Sequence, residues 1–262
     1  MATIPLPQLQ QLTFSSMSTF KRCRKLWEYK YVKGWIVMEE NENLSIGSAF
    51  HEAINAWRLQ RGSPNSAAPW EDVIEGSGLD AFNKQKVECM FKGYVNKYEH
   101  DDLDFVQSEE VFVVPLRNPE SGRISRTWAM SGKRDGIVRL SDGRLALFET
   151  KTAKTPDDKY WARAMIDGQV NHYVISGAEQ RVKFDIVIYD VVKKPGQKPL
   201  KATPIEKRKV RRDGQPYADI RMEDETPQEY GDRIWKAMME DPESYFIRRE
   251  LPRLIMLLSF AL

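Results

Sequence analysis

The stretch Gly132-Lys-Arg-Asp-Gly-Ile-Val-Arg-Leu-Ser-Asp-Gly-Arg-Leu-Ala-Leu-Phe-Glu-Thr-Lys151 decides the fold. Extended, largely apolar runs over residues 127–140 and 144–152 flank Ser141-Asp142-Gly143, so the segment reads as a β-hairpin with a glycine where positive φ is needed. Loop length then sets which side chains face one another. A three-residue loop with Gly143 in the left-handed region pairs Leu140 with Arg144 and puts Asp135 opposite Glu149. A two-residue Asp142-Gly143 turn instead pairs Asp135 with Thr150 and sends Glu149 to the other face.

On the first register Lys151 shares a face with Glu149, because side chains alternate along a strand. Two facing carboxylates about 5 Å apart repel unless a cation lies between them, and a hard ion such as magnesium or manganese suits oxygen donors. A neighbouring lysine can orient or deprotonate a water and offset charge growing on a phosphate. Those are the parts of metal-dependent phosphodiester hydrolysis. Taken alone, Glu149-Thr-Lys151 reads instead as a cross-strand salt bridge on an exposed strand face.

Two helical patterns supply companions. In Gly47-Ser-Ala-Phe-His51 the glycine and histidine lie four apart on one face, where the glycine permits close approach and His51 can complete a metal shell or rest on a backbone carbonyl. Glu52 faces solvent on this reading. In Gln169-Val-Asn-His-Tyr173 an amide and a phenol share a stripe, able to contact a nucleotide or fix Lys151, or to pack with Tyr173 in the core and Gln169 at its rim. His172 is expected at the surface.

Around these motifs the periodicity predicts helices at Thr13–Tyr31, Leu44–Gln60, Leu79–His100, Asp157–Gly177 and Thr226–Met239, with Arg61–Ala68 a loop. Strands are expected at Phe105–Leu116 and Phe184–Val192 besides the hairpin, and Arg117–Arg123 forms a turn. The mixture indicates an α/β fold in one domain over 1–262: a helical part about 13–100, a sheet core about 105–195 and a C-terminal decoration about 196–262.

With 41% hydrophobic and 30% charged residues the chain is expected to be globular and soluble. A formal charge of +2 does not by itself argue for nucleic acid, but cations cluster at Lys21–Lys33 against Glu28, and at Lys193–Arg212 against Glu206. Two cysteines, Cys23 and Cys89, cannot make a four-thiolate centre and suit a reducing cytoplasm. No signal-peptide pattern opens the chain, the apolar run Leu254–Leu262 is too short to span a bilayer, and no Gly-x-x-x-x-Gly-Lys-Ser/Thr loop occurs.

The ordered elements Gly47-x-x-x-His51, Gly132-x-x-Asp135, Glu149-x-Lys151-Thr152 and Gln169-x-x-x-Tyr173 together resemble the RecB-like branch of the PD-(D/E)XK nucleases, which includes CRISPR-associated and phage exonucleases. The resemblance implies a restriction-endonuclease-like core, a mixed central sheet flanked by helices, in a DNA nuclease, with a noncatalytic DNA-binding or assembly subunit on the same scaffold as the rival. It implies that His51, Asp135, Glu149 and the Thr150 carbonyl hold magnesium or manganese. Lys151 becomes the catalytic lysine, and Gln169 and Tyr173 support the site or hold DNA. Phe14-Ser-Ser-Met-Ser-Thr-Phe-Lys-Arg-Cys23 resembles the opening of iron–sulfur members, whose three later cysteines this sequence lacks. No cluster is therefore expected, and Cys23 is read as a buried helical residue beside Phe20 and Trp27. The Leu254–Leu262 tail is read as a docking strand, an oligomer contact or the product of a truncated or shifted reading frame.

Overall fold

A computed structural model describes residues 8–35, 42–62, 68–101, 103–209, 211–213, 215, 217 and 220–252. The tail Leu254–Leu262 and most of the expected 61–68 loop lie outside the described residues.

Six strands form one mixed sheet. They are β1 (Gln10–Leu12), β2 (Asp104–Arg117), β3 (Ile124–Arg139), β4 (Leu145–Ala153), β5 (Ile186–Lys193) and β6 (Phe246–Leu251). β3 is the hub. It pairs antiparallel with β2 on one edge, while its other edge takes β1 in parallel at Trp128–Met130 and β4 antiparallel at Gly136–Arg139. β5 lies parallel to β4, and β6 closes the sheet antiparallel to β5.

The hairpin takes the longer loop. Leu140 N–H donates to the Arg144 carbonyl at 2.9 Å, Gly143 N–H donates to the Leu140 carbonyl, and Gly143 sits at φ +85°. The ladder runs Arg139↔Leu145 to Gly136↔Phe148, so the next step of the same register sets Asp135 against Glu149. β3 and β4 stop pairing at that step.

Helices cover both faces. On one lie α3 (Glu42–Gly62), α5 (Ala81–Tyr98) and α8 (Pro227–Glu240), sharing a core with Phe50, Ile54, Met90, Ile234, Met238, Val192 and Phe246. On the other lie α6 (Asp158–Ala164) and α7 (Gly168–Glu179), packed through Trp161, Val170 and Tyr173 on Phe112, Leu147 and Val187. Oxygen-bearing side chains start the helices, as the free N–H groups of a first turn require. Asp80 caps α5, Asp157 caps α6, and Thr226 with Glu229 forms a reciprocal capping box on α8. This is the α/β restriction-endonuclease-like architecture expected.

Several expectations are corrected. The first helix breaks at Cys23, whose extended backbone separates α1 (Phe14–Arg22) from α2 (Arg24–Trp27), and a π-helical turn follows at Glu28–Val32. Cys23 is exposed, not buried, and its Sγ accepts from Leu26 N–H at 3.5 Å. The helix expected over 157–177 is two, because α6 ends at its C-cap Met165 and Asp167, with ψ 117°, caps the second. Short α4 (Trp70–Glu75) and α9 (Pro242–Tyr245) were not anticipated, nor were β1 and β6.

β6 owes its register to charge. Arg248 lies directly across from Asp190, donates to both its carboxylate oxygens at 2.6 and 2.7 Å, and also pairs with Asp101. Tyr94 OH from α5 donates to the same carboxylate at 2.8 Å. Asp190 is buried, so removing it strands a guanidinium and a phenol among apolar neighbours. Asp190→Ala is expected to destabilise the protein by about 3–5 kcal/mol, read from urea unfolding, with the loss concentrated at low-denaturant release of β6 in hydrogen exchange.

Candidate active site

The site lies where β3 and β4 part. Beyond the last ladder pair the Thr150 N–H has no β3 backbone partner, and the Asp135 side chain takes its place, Oδ2 accepting at 2.8 Å. The same oxygen is 3.6 Å from His51 Nδ1. α3 can lie this close because Gly47 has no side chain: a Cβ there would stand 3.3 Å from Thr152 Oγ1. His51 is partly exposed, and burial, though opposed by Asp135, lowers its proton affinity below the ordinary imidazole value. It is neutral at neutral pH, as a metal ligand must be.

Glu149 is fully buried. The Lys151 ammonium pairs with Oε1, and Oε2 has no partner. Burial pushes the Glu149 carboxyl well above the usual carboxylate range, Lys151 opposes that rise, and the Asp135 charge adds to it. Lys151 moves the other way from an ordinary buried lysine. Burial lowers its affinity for the proton, but Glu149 and Asp135 outweigh it and hold the ammonium charged.

Lys151 Nζ donates to Gln169 Oε1 at 2.9 Å, and Gln169 Nε2 donates to Tyr173 OH at 2.7 Å. The amide thus fixes the lysine, while Tyr173 is buried in the core below it. His172 is not at the surface: it is 4% exposed with Nε2 2.9 Å from the Ser131 carbonyl. α7 buries Val170, His172, Tyr173, Val174 and Ser176, more than one stripe, so the quarter-turn that separates His172 from Gln169 still points into protein.

Two residues of the site escaped the sequence reading. Asp167 caps α7, accepting from Gln169 N–H at 2.7 Å, and its second oxygen accepts from Tyr189 OH at 2.9 Å. An Asp-Gly pair before an apolar helix was the available signal. Arg58, two turns beyond His51, lies over the rings of Phe105 and Phe148 and donates to Tyr94 OH at 3.0 Å and Thr150 Oγ1 at 3.4 Å. It supports the segment of β4 that carries Glu149 and Lys151.

The donor set fits a hard divalent ion: two carboxylates, a neutral imidazole and a strand carbonyl. The buried Glu149 carboxylate, paired with Lys151 through Oε1 and with Oε2 unpartnered, is the observation that fits such an ion, since a buried charge with a free acceptor is otherwise expensive. Among the described residues no three His, Cys, Asp or Glu side chains are already drawn into a cage, for Glu149 is turned toward Lys151. The lysine ammonium stands where positive charge is needed.

A family model described as the PD-(D/E)XK nuclease superfamily matches residues 11–250. The chain therefore belongs to that superfamily, whose members are nucleic-acid-cleaving hydrolases that typically use divalent metals such as magnesium or manganese. Among solved structures, the crystal structure of SSO0001 is similar at 11% identity over 87% of this chain and 88% of that one, with a TM-score of 0.29. No curated protein matches significantly. No described helix is long and apolar enough to cross a membrane.

The raised Glu149 carboxyl gives a pH signature. Its contribution to metal-free stability is fully present below the ordinary carboxylate range and is lost as pH rises toward and through the raised value, where the buried group ionises. A divalent ion binds the ionised form, so manganese should raise Tm by several degrees, and by more at about pH 8 than at about pH 6. Differential scanning fluorimetry checks this. Glu149→Gln should remove both the rise and its pH dependence.

Proposed function

We propose that this protein is a divalent-metal-dependent DNA nuclease of the RecB-like branch, working as an exonuclease. The observation that carries the reading is the buried Glu149 carboxylate, held at Oε1 by Lys151 with Oε2 unpartnered, set beside Asp135 and His51 at the parting of two strands. The order of motifs along the chain supports the branch. His51, Asp135, Glu149 and the Thr150 carbonyl would hold magnesium or manganese, which when bound supplies Lewis-acid stabilisation of the charge that develops on a phosphate under attack.

The chain's own groups do the rest. Lys151 stays protonated in its carboxylate surroundings, so it serves as a hydrogen-bond donor that orients the attacking water and shields charge on the phosphate, not as the proton acceptor. Gln169 restricts the lysine to one position, and the Asp167 cap holds Gln169 at the first turn of α7. Thr150, pinned through its N–H to Asp135, keeps the strand from sliding as the site fills. Pre-set geometry of this kind lowers the reorganisation that must accompany reaction.

Titrating magnesium and manganese against end-labelled single- and double-stranded DNA, with Asp135→Ala as control, tests the proposal. Lys151→Ala should reduce cleavage by at least about a hundredfold with an unchanged circular dichroism spectrum, and Lys151→Arg should not restore it. Full metal-dependent cleavage by Lys151→Ala would overturn the assignment. Binding of DNA without any metal-dependent product would instead favour a noncatalytic subunit on this scaffold.

A further inference from the structure

Residues 14–35 leave the body of the protein as a basic and aromatic arm beside the active site. α1 is anchored at its start, where the Phe14 ring lies over Gly168 so closely that a Cβ there would be 2.7 Å from Phe14 Cε2. Gly168 immediately precedes Gln169, which holds Lys151. Farther along, packing almost ceases. Neither α2 nor the π-helical turn contains a buried residue, and every residue from Lys30 to Trp35 is exposed.

The arm exposes the aliphatic Leu26 and Val32 and three aromatic rings. Trp35 is 60% and Phe20 42% exposed, and Tyr31 is also exposed. Trp35 is pre-set: its indole stacks on Tyr29 at 4.6 Å and 14°, and its backbone N–H donates to the Tyr29 carbonyl at 2.9 Å. Around these rings stand Lys21, Arg22, Arg24, Lys25, Lys30 and Lys33, with Glu28 as the single carboxylate between residues 14 and 35. Glu28 is taken by Lys25 and Lys33 together, which leaves the remaining cations in excess. A solvated face would not need the aromatics, and an apolar protein contact would not need the charge.

Resting on the nuclease reading, we infer that this arm is a platform for single-stranded nucleic acid, with unpaired bases stacking on Tyr31 and Trp35 while Lys21, Arg22 and Lys30 neutralise phosphates. Exposed rings within a cationic surface bind single strands because every unpaired base offers a π-face, whereas bases within a duplex are already stacked. Its base is anchored at Gly168, beside the Gln169 that holds Lys151, so a strand bound along the arm leads toward the site.

The test measures binding apart from chemistry. Full-length protein in a chelator is titrated into fluorescein-labelled oligothymidylate and into a duplex, by anisotropy over a range of salt. Tyr31→Ala/Trp35→Ala should weaken single-strand binding by about tenfold or more with little change in the slope of log affinity against log salt. Lys21→Gln/Arg22→Gln should instead flatten that slope by roughly 0.7 for each phosphate no longer neutralised. Both variants should match the wild type in thermal melting and in manganese-dependent hydrolysis of bis(p-nitrophenyl) phosphate, which needs the metal site alone. If the wild type hydrolyses neither that ester nor DNA, the nuclease reading fails while the anisotropy still decides the arm. Unchanged oligothymidylate affinity in the aromatic variant, or duplex binding as tight as single-strand binding, overturns the inference. So does loss of a protein partner in these variants with DNA binding intact, which would make the face a protein interface.

Discussion

The Leu140 N–H donates across a loop of three residues to the Arg144 carbonyl, and every side chain of β4 takes its face from that bond. A strand has no tolerance for an error of one residue, because the side-chain period is two. With Gly143 in the left-handed region, Leu147, Glu149 and Lys151 point toward α7, and Phe148, Thr150 and Thr152 toward α3. One residue fewer in the loop would bury Thr150 where Glu149 now lies and put the carboxylate against Arg58 and Phe105. The glycine is thus as much a determinant of the chemistry as the carboxylates, although it touches none of them.

The second constraint is where the ladder ends. Paired strands satisfy their own backbone groups and leave no opening for a ligand. Here pairing stops at Gly136↔Phe148, and the vacant backbone position is filled by the Asp135 carboxylate on Thr150 N–H. Asp135 therefore has two tasks, closing the end of the sheet and facing the site with its charge. Glu149 has no such compensation at Oε2, and its neighbours shift its protonation upward. Natural proteins place such uncompensated groups where a ligand or a reaction resolves them.

Much of this was legible in the sequence, for reasons that differ by element. The hairpin was readable because Asp-Gly between two extended segments has few solutions, and α5 and α8 because long periodic segments carry their own caps. β1 and β6 were not. Gln10–Leu12 has no strand pattern of its own and exists as a strand through its three partners on β3, and β6 carries Arg248, Arg249 and Glu250 in sequence, which reads as surface until Asp190 is known to lie opposite. His172 and Cys23 failed in opposite directions for one reason: burial of a single residue depends on what the rest of the chain brings over it. α7 is covered beyond its apolar stripe, whereas the chain at Cys23 and α2 carries no buried residue. Among the site residues, those joined by a fixed spacing within one element could be placed, but Arg58 and Asp167 act through contacts between elements.

The first turn of α7 joins these threads. Asp167 ties it to Tyr189 on β5, Gln169 ties it to Lys151 on β4, and Gly168 between them receives Phe14 from α1. Three consecutive residues thereby connect the sheet, Lys151 and the loosely packed N-terminal arm. A side chain at position 168 would push Phe14 outward and with it the base of the arm, while the cap on either side resists rotation of the turn. Rigid scaffolds commonly carry their more mobile binding elements on such short anchors, since precision is needed at the reacting atoms and adaptability farther along the polymer. The change from a half-buried Phe14 to an exposed Trp35 follows that order along one short stretch of chain.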